Sequence, residues 1–234
     1  MRYEEMRPDR IEAVLREKPI AYLPWGSHEW HGPQNAIGLD AIKAHHQCMA
    51  LCARTGGVVL PAVFCGYQTM KPARGFRHCL EFQKDSVTSL VTQYLEQLYD
   101  EGFQVMVVVM GHYGAKHVEA VKAGVAAFTE RHYLARVWAF PDYEPTSEAG
   151  FGGDHAGINE TSLLLHFRPD LVDMTKLPEE PDGGRLGLSA AGVRQATAER
   201  GAEIAAALVA GATPKIESLL AEVREARRVR FGEE

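Results

Sequence analysis

Residues 19–40 have the sequence PIAYLPWGSHEWHGPQNAIGLD, which joins an apolar run to a cluster of ionisable side chains. The run IAYLP (20–24) is apolar throughout, as in a strand that is covered on both faces of a sheet. The polar residues that follow include Glu29, His31 and Asp40. Such side chains are costly to bury unless they find partners. Two interpretations follow: a polar surface turn, or a set of metal ligands at the end of a buried strand.

The rest of the chain alternates between short β-rich runs and longer amphipathic segments. The predicted strands are 20–24, 57–65, 104–110 and 135–140, and the predicted helices are 8–18, 40–54, 86–102, 115–132, 159–167 and 189–211. This alternation is typical of an α/β fold, here a three-layer αβα domain with a mainly parallel central sheet. The length of 234 residues fits one domain, residues 1–234.

Composition restricts the class of partner. The formal net charge of −6 gives no electrostatic support for a nucleic-acid partner. We find no apolar run long enough to span a bilayer, and the start MRYEEMRPDR lacks the apolar core of a signal peptide. The four cysteines form no CxxC pair. We therefore expect a reduced, cytoplasmic protein with a small-molecule substrate and no membrane partner.

Polar residues follow several of the predicted strands. In open parallel sheets, ligands bind outside the carboxyl ends of the strands. The segment GHYGAKH (111–117) follows one strand, and DHAGINETS (154–162) opens a helix after another. We therefore expect five side chains near one edge of the sheet: Glu29, His31, Asp40, His112 and Glu160. Three carboxylates and two imidazoles suit one or two divalent ions of zinc, manganese or iron.

Each of these residues also has a structural interpretation. His112 alone fits a hydrogen-bonded histidine, Asp40 alone fits a helix N-cap, and Glu160 alone fits an acid that favours the first turn of a helix. Their convergence on one edge is what favours metal binding. We expect other histidines to be structural: His45, His46, His132 and His166. His28 neighbours the cluster but points away from it, because side chains alternate along an extended segment.

Three motifs, in order, resemble those of the creatininase family of metal-dependent amidases. They are LPWGSHEWHGPQNAIGLD (23–40), MGHYGAKH (110–117) and HAGINETS (155–162). The first and third match the family pattern in order and spacing, and the likeness extends over roughly residues 5–210. The resemblance implies a layered α/β fold and a homo-oligomer, commonly a hexamer.

The resemblance also implies roles for individual residues. It implies metal ligation by Glu29, His31, Asp40 and His112, with Asp40 bridging two ions. Glu160 holds the position of the family's third-motif acid, as a ligand or a partner of one, and His155 holds the position assigned to proton transfer. Phe151 holds an aromatic position of the lid over the substrate. Tyr113 and the backbone at Gly111 are candidates for substrate contact.

The second motif departs from the family pattern. Met110 stands where the family has asparagine, and Gly114 stands where creatininase proper has a glutamate that binds the second metal. Gln34 and Leu39 replace a usual histidine and threonine of the first motif. One ion or two therefore stays open unless Glu160 supplies the missing oxygen, and creatinine itself is not implied as the substrate.

The expected activity is hydrolysis of a non-peptide C–N bond, in an amide or cyclic amide, by a metal-activated hydroxide. His155 is expected to protonate the leaving nitrogen. Three alternatives stay open: a formamide hydrolase of nucleotide or flavin precursors, a peptidase that acts on a cofactor peptide, and a non-catalytic family member that binds metal or ligand.

Overall fold

A single parallel sheet organises the chain. The structure, a computed structural model, describes residues 1–232. The strands are β1 (Ile20–Gly26), β2 (Val58–Val59), β3 (Val63–Phe64), β4 (Val105–Met110) and β5 (Arg136–Pro141). Their order is β2–β1–β4–β5, with β3 also paired to β1, and every pairing is parallel. The predicted α/β class and mainly parallel sheet are confirmed.

Helices cover the sheet and connect its strands. They are α1 (Pro8–Glu17), α2 (Leu39–Thr55), α3 (Met70–Arg74), α4 (Lys84–Asp100), α5 (Ala115–Thr129), α6 (Ile158–Phe167), α7 (Gly183–Leu186) and α8 (Ala198–Phe231). A 3₁₀ turn spans Glu144–Ala149 and another spans Val193–Gln195.

The largest departures from the predicted element boundaries are at two places. The predicted strand 57–65 is broken into β2 and β3, with Pro61 between them, because proline cannot donate a hydrogen bond to a strand ladder. The predicted helix 189–211 begins only at Ala198, where the Thr197 side chain accepts a hydrogen bond from the Arg200 N–H. It then continues to Phe231, past the predicted end.

The core lies on both faces of the sheet. Alternate residues of β4 face opposite ways: Met106 and Val108 pack on the side of α4 and α5, whereas Val107 and Val109 pack on the side of α2 and α8. All four side chains are fully buried. This gives the three layers, helix, sheet and helix, that strands apolar on both faces predict.

Helix α8 has the length and apolar composition of a membrane-crossing segment. Its most apolar 18-residue window has a mean hydropathy of 1.4 and is 44% buried within the protein. The sequence analysis predicted no such segment, whereas α8 is one candidate by length and composition. The buried side of α8, which includes Leu208, Ile216 and Val223, packs against the sheet layer, as in the core helix of a globular domain.

The strand register brings three strand ends to one edge. Trp25 of β1 lies opposite Met110 of β4, and Met110 lies opposite Pro141 of β5. The start of α2 sits directly on these ends, since a Cβ at Gly111 would lie 2.1 Å from the Asp40 carbonyl oxygen. Only glycine allows this approach. Asp40 is thereby held at the carboxyl ends of the two central strands.

Candidate metal centre

Asp40 lies between two groups of possible ligands. Its Oδ2 lies 3.2 Å from His112 Nδ1, which is 2.8 Å from Glu29 Oε2. Its Oδ1 lies 2.9 Å from His31 Nε2, which is 3.5 Å from Glu160 Oε2. All five side chains are buried. Glu29, Asp40 and His112 therefore form one candidate metal position, His31, Asp40 and Glu160 form a second, and Asp40 is shared.

The two histidines are oriented by hydrogen bonds to backbone carbonyl groups. His31 Nδ1 lies 3.0 Å from the Glu29 carbonyl oxygen, and His112 Nε2 lies 2.9 Å from that of Tyr67. Because a carbonyl can only accept, each of these nitrogens carries a hydrogen. The other nitrogen of each neutral ring then presents a lone pair to carboxylate oxygens. Such a pocket calls for a cation, either a proton or a metal ion.

Protons on His31 and His112 can supply the positive charge that this pocket calls for. Burial alone would lower the pKa of His31, but the charge of Asp40 and the hydrogen bond to it outweigh burial and raise that pKa to about 9. The pKa of His112 is also well above its usual value, because hydrogen bonds with Asp40 and Glu29 outweigh burial. Burial would raise the pKa of Asp40, yet the two histidines hold it well below its usual range.

Glu160 is held by three donors. Its Oε1 lies 2.6 Å from both Lys43 Nζ and the Tyr113 hydroxyl, and its Oε2 accepts the Ala156 N–H at 2.7 Å. Ala156 adopts a left-handed φ of 49°, which aims this N–H at the carboxylate. Oε2 thus faces the second metal position, whereas Oε1 is bound by Lys43 and Tyr113.

Lys43 completes a buried ion-pair group behind the centre. Its Nζ also lies 3.0 Å from Asp142 Oδ2, at the end of β5. Burial raises the pKa of Asp142 to about 6 against the opposing charge of Lys43. Both residues were missed in the sequence analysis. For Asp142 a signal was present in the sequence, because it directly follows a strand.

His155 lies beside the second position. Its ring centroid is 4.4 Å from that of His31, and its Nε2 donates to the Trp30 carbonyl oxygen at 2.8 Å. Burial and the charge of His31 lower the pKa of His155. Neutral His155 therefore has its lone pair on Nδ1 and can accept a proton there. Its assignment to proton transfer stays a prediction.

Trp30 anchors His155 to the neighbouring loops. Besides accepting from His155, it donates its indole N–H to the Leu186 carbonyl oxygen at 2.7 Å. Its ring stacks on Phe76 at a centroid distance of 5.5 Å. Trp30, like Lys43, was not singled out from the sequence.

A cavity of about 260 Å³ opens onto both metal positions. Gly111, Tyr113 and His155 line it, as a substrate contact requires, together with Gln68 and Met70. Substrate contact by Gly111 and Tyr113 stays a prediction.

Phe151 lies elsewhere. It packs against Leu163 and Ile204 of α6 and α8, and the Arg200 guanidinium lies 5.2 Å from its ring centroid. Phe151 is not among the residues that line the cavity, and its contact with substrate stays a prediction.

The remaining histidines lie outside this cavity. His28 stacks on Phe64 at 4.4 Å, His46 stacks on Phe167 at 5.1 Å, and His132 lies 2.7 Å from Glu96. The contacts of His46 and His132 agree with the structural roles expected of these two residues.

Comparison with known proteins gives the family. The profile of the creatininase family, described as creatinine amidohydrolase, matches residues 4–216. The creatinine amidohydrolase of Pseudomonas putida is 25% identical over 182 residues, which cover 69% of each chain. The mycofactocin precursor peptide peptidase of Mycolicibacterium smegmatis (strain ATCC 700084 / mc(2)155) is 28% identical over 220 residues, covering 85% of this chain and 84% of the relative.

The fold agrees with that assignment. A crystal structure of creatinine amidohydrolase superposes with a TM-score of 0.78 at 22% identity, covering 92% of this chain and 96% of the other. The profile match extends over most of the sequence and includes all three motifs. This chain therefore belongs to the creatininase family of hydrolases.

Proposed function

We propose that this protein is a metal-dependent amidohydrolase that cleaves a C–N bond of a small amide or cyclic amide. The observation that carries the proposal is the pair of oriented imidazole nitrogens, on His31 and His112, that face carboxylate oxygens on both sides of Asp40. Buried groups of this kind require a cation between them. A divalent metal of the zinc or manganese type fits the mixed nitrogen and oxygen donors.

The ligands proposed for the metal are those expected from the sequence. Glu29, Asp40 and His112 would hold one ion, and His31, Asp40 and Glu160 would hold a second. Creatininase structures of the same fold include a manganese form and a Zn-Zn form, which supports metal at this site. A bound metal would supply a more acidic water and an electrophile for the substrate carbonyl.

His155 is proposed as the residue that moves the proton. The attacking water gives a proton to Nδ1 of His155 as the water oxygen bonds to the carbonyl carbon. Nδ1 then passes this proton to the amide nitrogen as the C–N bond breaks, so that the nitrogen is freed as an amine and the carbonyl carbon as a carboxylic acid. The lowered pKa of His155 supports a group that is neutral at the start of this cycle.

The cavity favours a small substrate. A volume of about 260 Å³ is just below the range of ordinary ligand pockets. Gly114 contributes no carboxylate, and a Cβ there would lie 3.2 Å from both the backbone oxygen and Oε1 of Gln68. The space beside Gly114 is thus partly filled by Gln68. We therefore propose that creatinine is a poor substrate.

A peptidase is the second candidate, because the Mycolicibacterium smegmatis relative is a peptide peptidase and covers more of this chain. In that case only the residue beside the scissile bond would enter the cavity.

The test is a panel of substrates assayed with the metal-loaded protein: creatinine, other cyclic amides, linear amides, formamides and short peptides. Release of amine or acid from cyclic or linear amides, abolished by chelation and restored by zinc or manganese, is the expected result. Turnover of peptides alone would favour the peptidase, and bound metal without turnover on any member of the panel would refute catalysis of this class.

A further inference from the structure

Lys43 is an ammonium group buried beside the candidate metal centre. It lies on α2, one turn after Asp40, and only 1% of its surface is exposed. A buried ammonium is costly unless opposite charges lie in contact with it. Its Nζ lies 2.6 Å from the Glu160 carboxylate and 3.0 Å from that of Asp142, and it also lies 4.6 Å from the centroid of the Tyr113 ring.

Lys43 makes its hydrogen bond to the proposed ligands through Glu160. It lines a small cavity behind the centre, with Gln47, Tyr113 and Asp142, and it is not among the residues that line the cavity in front. Its Nζ binds Oε1 of Glu160, whereas Oε2 is the oxygen that faces His31. Lys43 is therefore placed to affect Glu160, a proposed metal ligand, rather than to contact a substrate.

Two electrostatic effects of Lys43 both weaken the binding of a cation at the position formed by His31, Asp40 and Glu160. Its positive charge repels a cation nearby, because like charges in a buried site interact strongly. Its hydrogen bond also draws negative charge of Glu160 away from Oε2. Asp142 acts against both effects, because it partly neutralises Lys43 from the opposite side.

We propose that Lys43 is a fixed cation of the centre, which weakens binding of a divalent ion at the position formed by His31, Asp40 and Glu160, and that Asp142 offsets it. This inference rests on the proposed function, since it requires a metal centre. The position formed by Glu29, Asp40 and His112 is on the far side of Asp40 and should respond much less.

The inference predicts opposite effects for two substitutions. Lys43→Met removes the repelling charge and should tighten the second ion. Asp142→Asn leaves Lys43 with one carboxylate fewer and should weaken the second ion. A purely structural role, in which this group only holds Glu160 in place, predicts weaker binding in both variants.

The experiment is a titration of the metal-free, full-length protein with Zn²⁺ at pH 7.5, followed by calorimetry and by metal analysis. The dissociation constant for the position formed by His31, Asp40 and Glu160 should fall at least about tenfold in Lys43→Met and rise at least about threefold in Asp142→Asn. That for the position formed by Glu29, Asp40 and His112 should change less than about threefold in either variant. Lys116→Met is the matched control, because it removes the same charge from an exposed position near the site.

A double variant provides a second test in case Lys43→Met does not fold. Replacing a whole buried ion pair by neutral groups is often tolerated, so Lys43→Met/Asp142→Asn should bind the second ion more tightly than Asp142→Asn alone. If the wild type saturates at one ion, Lys43→Met should bind two.

Three results would overturn the inference. They are weaker second-ion binding in both single variants, unchanged binding in both, and no recovery in the double variant. A wild type that binds no divalent ion at all would instead overturn the proposed metal centre, and this inference with it.

Discussion

Binding of Zn²⁺ to the metal-free protein should depend steeply on pH, because the ion must displace protons. His31 donates its Nδ1 hydrogen to the Glu29 carbonyl, so the second proton of charged His31 sits on Nε2, the nitrogen that faces Asp40 and Glu160. Its pKa is raised to about 9 by the charge of Asp40 and the hydrogen bond to it, against the lowering effect of burial. Proton and metal ion compete for that one atom.

The magnitude follows from this pKa. Below pH 9, each rise of one pH unit lowers the ratio of protonated to neutral His31 tenfold. The affinity for an ion at the position formed by His31, Asp40 and Glu160 should therefore rise about tenfold per pH unit from pH 7 to pH 8.5. At pH 7 the competition costs about two pKa units, or about 2.7 kcal/mol. Above pH 9 the affinity should level off, since Nε2 is already free. The pKa of His112 is raised as well, so an ion that binds at the position formed by Glu29, Asp40 and His112 should also release protons.

Isothermal titration calorimetry between pH 6.5 and 9.5 measures both quantities. Repeating each titration in two buffers with different ionisation enthalpies counts the protons, and about one per second-position ion is expected at pH 7.5. An affinity that does not change over this range, or an ion that binds without releasing protons, would refute the assignment of His31 Nε2 as a metal-binding atom.

Four further outcomes are expected. Asp40→Asn should lower metal content sharply by elemental analysis, because one carboxylate serves both positions; full occupancy would contradict the bridging role. His155→Ala should keep its metal but lose about 10²–10⁴-fold in kcat on a substrate found in the panel. Gly111→Ala should lower unfolding free energy by about 3 kcal/mol in denaturant melts, since its Cβ would lie 2.1 Å from the Asp40 carbonyl; Gly152→Ala, with nothing within 4 Å, is the control. Light scattering should find an oligomer, a hexamer by family resemblance, and a monomer at all concentrations would contradict it.

The sheet was predictable because its two central strands, β1 and β4, are apolar runs that are buried throughout. The run QVMVVVM (104–110) can be covered only by helices on both faces, and β4 is buried throughout. Boundaries were less predictable where local signals conflict. Pro61 interrupts a run that is otherwise continuous, and the apolar pattern before Ala198 belongs to a turn and not to the helix that follows it.

The proposed ligands were predictable because ligand-type residues follow aligned strand ends. Lys43 was not, because a lysine within a helical segment is ordinarily solvent-exposed, and only the three-dimensional position of Asp142 and Glu160 explains its burial. Trp30 was not predictable either, since it holds His155 through a backbone carbonyl, which every residue has.

The two-sided attachment of Trp30 makes this residue a natural optical reporter. Its backbone oxygen holds the imidazole of His155, while its indole is fixed to Leu186 and Phe76. Any displacement of His155 therefore changes the surroundings of a fluorophore. The chain has only two other tryptophans, Trp25 and Trp138. Replacing both by phenylalanine would leave Trp30 as the source of tryptophan emission, so that ligands could be screened by fluorescence before any substrate is known.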